Sequence, residues 1–84
     1  MELLQLRYFR DAAELENFSK AAEKNLVPQP SISKTISKLE QELGVRLFDR
    51  NGKKISLNEN GKYFYEKVNT ALANIDDAVH HFKT

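Results

Sequence analysis

The glycines and prolines constrain the fold of this chain more than any other feature. In 84 residues there are only three glycines and two prolines, too few turn-forming residues for a fold made mainly of strands. The sequence therefore predicts a mainly α-helical fold. A chain of this length forms one small domain with a modest core, because such domains bury only about 60% of the surface that the unfolded chain exposes.

Two helices are predicted in the first part of the chain. Apolar residues at helical spacing predict a first helix over residues 3–15. Asn17 or Ser19 can cap a short second helix, since either side chain can accept a hydrogen bond from the first turn. That helix has to end before Pro28, because proline cannot continue a helix already under way.

A third helix is predicted over residues 29–43, since a proline at position 30 is tolerated in a first turn. Its apolar residues are spaced by four, three and four positions, which places one stripe toward a core: Ile32, Ile36, Leu39 and Leu43. Gly44 suits the left-handed residue just past the helix end. The face that points away carries Pro30, Lys34, Ser37, Lys38 and Gln41.

The pair Asn51-Gly52 predicts a hairpin turn between two short strands, residues 46–50 and 53–57. This pair best tolerates positive φ at both central positions of such a turn. The side chains expected to face the core are Phe48, Ile55 and Leu57, and those expected near the tip are Arg50, Lys53 and Lys54.

A long fourth helix is predicted over residues 58–84, with Asn58 as its cap. Its apolar residues alternate steps of three and four, which is the pattern of a helix–helix seam: Tyr65, Val68, Leu72, Ile75, Val79 and Phe82. About 25 residues make a helix of roughly 37 Å, longer than a three-helix core can cover. We therefore expect a homodimer through residues 58–84. The alternative is that a further C-terminal part of the protein covers the seam.

The charges are sorted along the chain, although the net charge is only +1. Residues 19–54 carry eight basic residues against four acidic ones, and no acidic residue lies between Lys24 and Lys38. The start of the third helix is also rich in hydroxyl groups, on Ser31, Ser33, Thr35 and Ser37. This combination favours a surface that meets a polyanion. The alternative explanation of the positive charge, taken without the hydroxyl groups, is a lysine-rich face that is simply solvated.

Two helices joined by a turn, a helix with a polar outer face and a basic hairpin together indicate a winged helix-turn-helix. A helix fits the major groove of DNA, and its first side chains reach base edges. Gln29 can bind adenine at two points, and Lys34 can donate to guanine. The hairpin, or wing, can lie on the phosphate backbone or in the minor groove. A helix-turn-helix used only for protein contact, without DNA binding, is the alternative function.

The run from Phe18 to Gly61 resembles the N-terminal domain of LysR-type transcriptional regulators. The shared pattern consists of Phe18-Ser19, Ala21-Ala22, Leu26, Gln29-Pro30, Ser33, Ile36, Leu39-Glu40, Leu43-Gly44, Leu47-Phe48, Arg50, Leu57 and Gly61. Leu6 and Phe9 match upstream of it. Pro28 departs from the pattern, because the family often has a serine or threonine there that could cap the third helix.

The resemblance implies a bacterial regulator that binds DNA as a dimer or tetramer, with residues 1–57 as the DNA-binding unit and residues 58–84 as a linker helix that pairs with its twin. It implies base-facing roles for Gln29, Pro30, Ser33 and Lys34. It implies phosphate contacts for Ser31, Thr35 and Lys38 and wing positions for Arg50 and Lys53. The hydroxyl group of Ser37 and the place of Lys54 near the hairpin tip add these two residues to the expected phosphate or wing contacts. Complete members carry a C-terminal domain that binds a small effector. That domain is absent here, so we expect the sequence to be a fragment.

The sequence contains no complete pattern of residues for catalysis or for metal binding. The chain has no cysteine, which excludes thiolate zinc sites and disulfides. Ser31 and Lys34 fit the Ser-x-x-Lys pattern of serine acylases, but the partner motifs are missing. His80 and His81, each with one aspartate four residues earlier, supply two ligands where a metal site needs three or four. We therefore predict no enzyme, no metal and no cofactor.

The apolar runs are at most three residues long, so no segment is expected to span a membrane. The N-terminus lacks the basic and then apolar stretch of a signal peptide. These features predict a cytoplasmic protein.

Overall fold

The computed structural model describes residues 1–83 and leaves Thr84, the last residue of the predicted fourth helix, outside the described residues. Within this range the chain forms four helices and a two-stranded hairpin. In chain order these are α1 (Leu3–Leu15), α2 (Phe18–Asn25), α3 (Gln29–Leu43), β1 (Phe48–Asn51), β2 (Lys54–Leu57) and α4 (Glu59–Lys83). The bounds predicted for the first and third helices are confirmed.

The ends of the helices follow from local hydrogen bonds. Asn17 caps α2, because its side-chain oxygen accepts the backbone N–H of Lys20 at 2.8 Å. Asn58 caps α4 in the same way, accepting the N–H of Gly61 at 2.8 Å. Gly44 ends α3 in the left-handed conformation, with φ 74°. Both predicted asparagine caps and the glycine stop are therefore confirmed.

The core lies between α1, α2 and α3 and is closed by the hairpin and by the first half of α4. Three phenylalanines join these elements, since Phe48 meets Phe9 and Phe18 edge to face at 5.9 and 5.5 Å between ring centroids. Phe64 of α4 packs on Phe9 at 5.2 Å. The buried members of the α3 stripe are Ile32, Ile36 and Leu39. Leu43 is half-buried at the helix end.

The hairpin turn differs from the prediction by one residue. Asn51 pairs with Lys54 in the strand register, so the central residues of the turn are Gly52 and Lys53 rather than Asn51 and Gly52. Only Gly52 of these has positive φ, at 63°. A positive φ at the first central position alone is the pattern of a type II′ turn, which favours glycine there. The expected inner face is confirmed, with Phe48 buried and Ile55 and Leu57 half-buried.

The fourth helix runs antiparallel to α1 and shares its core. Near the start of α4, the Tyr65 hydroxyl donates to the Glu14 carboxylate at 2.8 Å. Further along, Arg7 and Asp76 form an ion pair at 2.9 Å, which raises the pKa of Arg7 and lowers that of Asp76 through their hydrogen bond. Between these contacts, Val68 and Leu72 are buried inside the chain's own core.

The predicted seam therefore divides into two parts. Its first half packs within one chain, so Val68 and Leu72 are not free to meet a partner helix. Its second half is exposed, by 39% at Ile75, 48% at Val79 and 85% at Phe82. The prediction treated all six residues as one surface because helical spacing alone does not reveal which neighbour covers each turn.

Across residues 1–83, every helix lacks the combination of length and apolar character needed to cross a membrane.

Candidate nucleic-acid interface

The outer face of α3 is exposed along its length, as the helical spacing predicts. Pro30, Lys34, Ser37, Lys38 and Gln41 are all solvent-accessible. They lie opposite the buried stripe of the same helix, so α3 presents one polar, basic side away from the core.

A groove of about 550 Å³ separates this face from the inner side of the wing. The groove brings together six of the predicted site residues: Pro30, Ser31, Ser33, Lys34, Ser37 and Arg50. Its lining carries two cations and three hydroxyl groups and no carboxylate. Such a surface offers charge and hydrogen-bond donors to phosphate oxygens and base edges.

A smaller hollow of about 150 Å³ lies on the other side of the α3 start. It brings together Gln29, the wing residue Lys53 and the beginning of α2, where Asn17 and Ser19 lie. Ser19 was not among the predicted site residues. Its position beside the α2 cap could have suggested this, because hydroxyl groups in a first turn often face phosphates.

Arg50 lies near the wing tip, as predicted, because it pairs with Ile55 next to the pair that closes the turn. Its side chain alternates with that of the outward-facing Asp49 and so shares the inner face of β1 with Phe48. Its guanidinium carbon lies 5.3 Å from the centre of the Phe18 ring. One of its nitrogens is 3.9 Å from a carboxylate oxygen of Glu40. Arg50 therefore bridges the wing to α2 and α3.

Glu40 was not recognised as a site residue, although it belongs to the pattern quoted for the family resemblance. Its second carboxylate oxygen accepts the backbone N–H of Leu47 at 2.7 Å. Leu47 lies immediately before β1, at the base of the wing. One carboxylate of α3 thus contacts the wing at two points.

The start of α3 has no side-chain cap. Pro28 occupies the cap position, and only its carbonyl oxygen takes part, accepting the N–H of Ser31 at 3.0 Å. The Ser33 hydroxyl donates to the carbonyl of Pro30 at 3.3 Å. The missing hydroxyl cap at position 28 is not replaced by another side chain of residues 1–83. A helix start of this kind attracts anions through its dipole and free N–H groups.

Three predicted contact residues line neither of these two hollows. Among the described residues, Thr35 is half-buried, whereas Lys38 and Lys54 are exposed. Lys54 begins β2 and pairs with Asn51 beside the turn. Lys53 and Lys54 therefore lie at the wing tip, as predicted.

A buried carboxylate holds α2 in place behind the interface. Asp11 is 2% exposed and accepts hydrogen bonds from Lys24 at 3.1 Å and from Asn25 at 2.9 Å. Burial opposes its ionisation, but the hydrogen bonds of Asn25 and Lys24 and the charges of Lys24 and Arg10 outweigh this and lower the pKa of Asp11. This network was not predicted from the sequence, since its members lie in different helices.

Leu26 lies outside the core although it was counted in the family pattern. It is 92% exposed and ends α2 in the left-handed conformation, with φ 56°. The preceding residue, Asn25, turns inward instead and donates to Asp11 and to the carbonyl of Ala21.

Within residues 1–83, no group of three histidine, cysteine, aspartate or glutamate side chains is placed to hold a metal ion. His80 and His81 lie on the exposed last turns of α4.

Three helices closed by a small hairpin, with the polar face of the third helix beside a basic wing, define a winged helix-turn-helix domain. Residues 3–62 match the family described as bacterial regulatory helix-turn-helix protein, lysR family. The chain therefore belongs to the LysR family, and the family expected from the sequence is confirmed.

The relatives are regulators of transcription. The chain is 50% identical over 78 residues to the transcriptional dual regulator GltC of Bacillus subtilis, covering 93% of this chain and 26% of that protein. It is 39% identical over 79 residues to the regulator BenM of Acinetobacter baylyi, covering 94% of this chain and 26% of that protein. The chain thus spans about a quarter of the length of these relatives. Because these relatives are transcriptional regulators, the prediction that the chain is not an enzyme is confirmed.

Solved structures agree with the fold. The structure of a BenM DNA-binding domain in complex with catB site 1 DNA matches with a TM-score of 0.92 at 38% identity, covering 99% of this chain and 92% of that one. The predicted mainly α, winged helix-turn-helix fold is confirmed.

Proposed function

We propose that this chain binds double-stranded DNA with sequence preference, with α3 in the major groove and the wing on the backbone or in the minor groove. The observation that carries the proposal is the groove between α3 and the wing, which is lined by Lys34, Arg50 and hydroxyl groups and by no carboxylate. The BenM domain, whose solved structure holds DNA, supports it.

We assign each side chain to bases or to phosphates from its position on α3 or on the wing. Gln29, Pro30, Ser33 and Lys34 begin α3, whose first residues reach base edges when such a helix enters the major groove. The residues assigned to phosphates are Ser31, Thr35, Ser37 and Lys38 of α3 and Lys53 and Lys54 at the wing tip. Arg50 lies between these groups and faces the same groove.

The test measures affinity for a pool of random duplexes at two salt concentrations, followed by selection of the bound sequences. Phosphate contacts make the logarithm of affinity fall with the logarithm of salt concentration, with a slope of about 0.9 for each contact. A protein-contact module would show a flat salt response and no enriched sequence, and this result would overturn the proposal.

Two lysines separate base reading from backbone contact. Lys34→Ala is expected to weaken binding and to relax the preference at one base position, by roughly 1–3 kcal/mol. Lys53→Ala is expected to weaken binding to all sequences equally and to lower the salt slope by about one contact. Lys67→Ala is the matched control, because Lys67 lies on α4 and stacks on Tyr63. Unchanged sequence preference in Lys34→Ala would remove Lys34 from the base readers.

The protein acts as a homodimer through the exposed second half of α4, with residues 58–84 as the pairing segment and residues 1–57 as the DNA-binding segment. Ile75, Val79 and Phe82 offer apolar surface that one chain leaves uncovered. Because α1 runs antiparallel beside α4, the exposed Leu3 and Leu4 extend this surface. Burial of each side chain contributes up to about 1.5–3 kcal/mol.

Aspartates at Ile75 and Val79 test this surface. The double variant Ile75→Asp with Val79→Asp is expected to sediment as a monomer while keeping its helical content. Thr70→Asp with Asn74→Asp is the control, since both residues are exposed and point away from the seam. Equal sedimentation of wild type and the seam variant would show that the surface does not pair.

The cytoplasm is the expected location, since DNA is the proposed ligand and no helix of residues 1–83 suits a membrane. Assembly into tetramers and binding of a small effector would depend on residues outside these 84, as the family resemblance implies.

A further inference from the structure

We propose that Glu40 is a positioning residue for DNA binding, which sets the distance between the wing and the recognition helix α3 through Arg50 and the backbone of Leu47. The inference rests on the proposed function, because the distance matters only if both elements contact one duplex. The Glu40 side chain itself is largely buried, at 10% exposure.

The wing has little of its own to hold it in place. It consists of two strands of four residues, and isolated two-stranded hairpins are only marginally stable. Its orientation therefore depends on contacts with the helices. At its outer end, Lys53 and Lys54 are exposed, and among residues 1–83 neither forms an ion pair that would orient the tip.

Glu40 supplies two of these contacts from a rigid element. One carboxylate oxygen accepts the Leu47 N–H at 2.7 Å at the base of the wing. The other lies 3.9 Å from the Arg50 guanidinium, three residues further along the chain. A carboxylate that contacts the hairpin at two points, by one hydrogen bond and one ion pair, restrains its rotation as well as its distance, because a single contact leaves the hairpin free to turn about it.

Burial and charge make this arrangement specific. The Glu40 side chain is only 10% exposed, against 37% for Arg50, and a charge so far removed from water has to be paired. The Arg50 guanidinium carbon also lies 5.3 Å from the centre of the Phe18 ring, a cation–π geometry. Arg50 thus contacts Phe18 of α2 and Glu40 of α3, and we call this pair of contacts the clamp. The clamp also fixes β1, the strand that carries Arg50 and leads to the wing tip.

The clamp has a functional consequence at the tip. When α3 sits in the major groove, Lys53 and Lys54 reach the duplex only if the wing keeps its angle to α3. Loss of the clamp then removes wing contacts while leaving the α3 contacts intact. This separates a positioning role from a general loss of stability, which would weaken both together.

The experiment uses Glu40→Gln in the full 84-residue chain. The amide oxygen of glutamine still accepts the Leu47 N–H, so the helical content should be unchanged, whereas the charge that holds Arg50 is lost. We expect the salt slope of DNA binding to fall by up to about 1.8, the value for two lost phosphate contacts, and the base preference read by α3 to remain. Glu42→Gln is the matched control, because Glu42 is an exposed glutamate of the same helix that pairs with the N-terminal amine.

A double-mutant cycle identifies the route of the effect. In a chain that already carries Lys53→Ala and Lys54→Ala, Glu40→Gln should cause no further loss of affinity, because the contacts it positions are gone. Additive losses would overturn the proposal and assign Glu40 a merely stabilising role. Arg50→Lys should behave as Glu40→Gln does, since lysine keeps the charge but not the flat guanidinium on Phe18.

A measurement without DNA keeps this inference separate from the proposed function. The chain has no cysteine, so Gln41→Cys and Ser56→Cys, both exposed, allow spin labels to report the distance from α3 to the wing. Glu40→Gln should broaden that distance distribution and Glu42→Gln should not. An unchanged distribution refutes the clamp, whereas a broadened one in a protein that binds no DNA refutes the proposed function alone.

Discussion

Gly61 lies in the first turn of α4, directly against the backbone of Leu47 and the side chain of Leu57. An added Cβ at this position would overlap the Leu47 carbonyl oxygen. Glycine is needed here because it has no Cβ, not because of its backbone freedom, since Gly61 does not have positive φ. This close approach joins α4 to the base of the wing. The Asn58 N–H donates to the same Leu47 carbonyl at 3.1 Å.

Gly61→Ala is therefore expected to lower the free energy of unfolding by about 1–3 kcal/mol, the usual effect of overpacking. Urea titration followed by circular dichroism measures it. Lys62→Ala, one residue on and exposed, should change stability by less than about 0.5 kcal/mol. Equal stability of Gly61→Ala and wild type would mean that α4 can move away from Leu47 at no cost.

Leu26 and Glu16 are the non-glycine residues with positive φ among residues 1–83, and they differ in what their side chains do. Leu26 is exposed, whereas the Glu16 carboxylate accepts the N–H of Leu57 at 2.9 Å. Leu26→Gly should raise the free energy of unfolding by about 0.5–1 kcal/mol, because the left-handed conformation costs a residue with Cβ roughly 1–2 kcal/mol. Glu16→Gly should show no gain, since it also loses the hydrogen bond. Thermal unfolding of both variants checks the contrast.

At the scale of elements, the packing of α1 on α2 depends on one buried carboxylate. Asp11 of α1 meets Lys24 and Asn25 at the end of α2, and α2 in turn supports the start of α3. The pKa of Asp11 is lowered in the folded state by these partners, against the effect of burial. Its contribution to stability is therefore complete above the pKa of an unfolded aspartate, about 3.9, and is lost as pH falls through the lower folded value.

Asp11→Asn is expected to lower the free energy of unfolding at neutral pH by about 1–3 kcal/mol, because Lys24 loses its partner at a part-buried site. The difference from wild type should shrink below about pH 4, where the unfolded aspartate becomes protonated. Denaturant titrations at pH 7 and at pH 3 measure both effects. Asp77→Asn, on the exposed face of α4, serves as the control, and a difference independent of pH would contradict the lowered pKa.

At the scale of the whole molecule, α4 decides the shape. The principal extents are 45, 26 and 19 Å, and the long dimension arises because α4 continues past the last core residue, Leu72. The second half of α4 leaves its apolar residues exposed. Two copies joined there would hold two recognition helices on one side of a duplex.

A duplex with two half-sites should consequently bind wild type far more tightly than a duplex with one, by 10²-fold or more, since the second contact becomes intramolecular. The variant Ile75→Asp with Val79→Asp should lose this advantage while keeping its affinity for a single half-site. Fluorescence anisotropy with the two duplexes measures the ratio. A ratio unchanged by the variant would exclude α4 as the link between the two copies.

The features that the sequence alone determined are local ones. Asn17 and Asn58 cap the starts of α2 and α4, and Gly44 ends α3, through contacts within a few residues. Apolar spacing also reveals which side of α3 is buried, so these features followed from the chain itself. The partners of Arg50, Asp11 and Val68 were decided only by the tertiary structure. Each contacts residues that are distant in sequence, and periodicity gives the face on which a side chain lies but not the element that covers it.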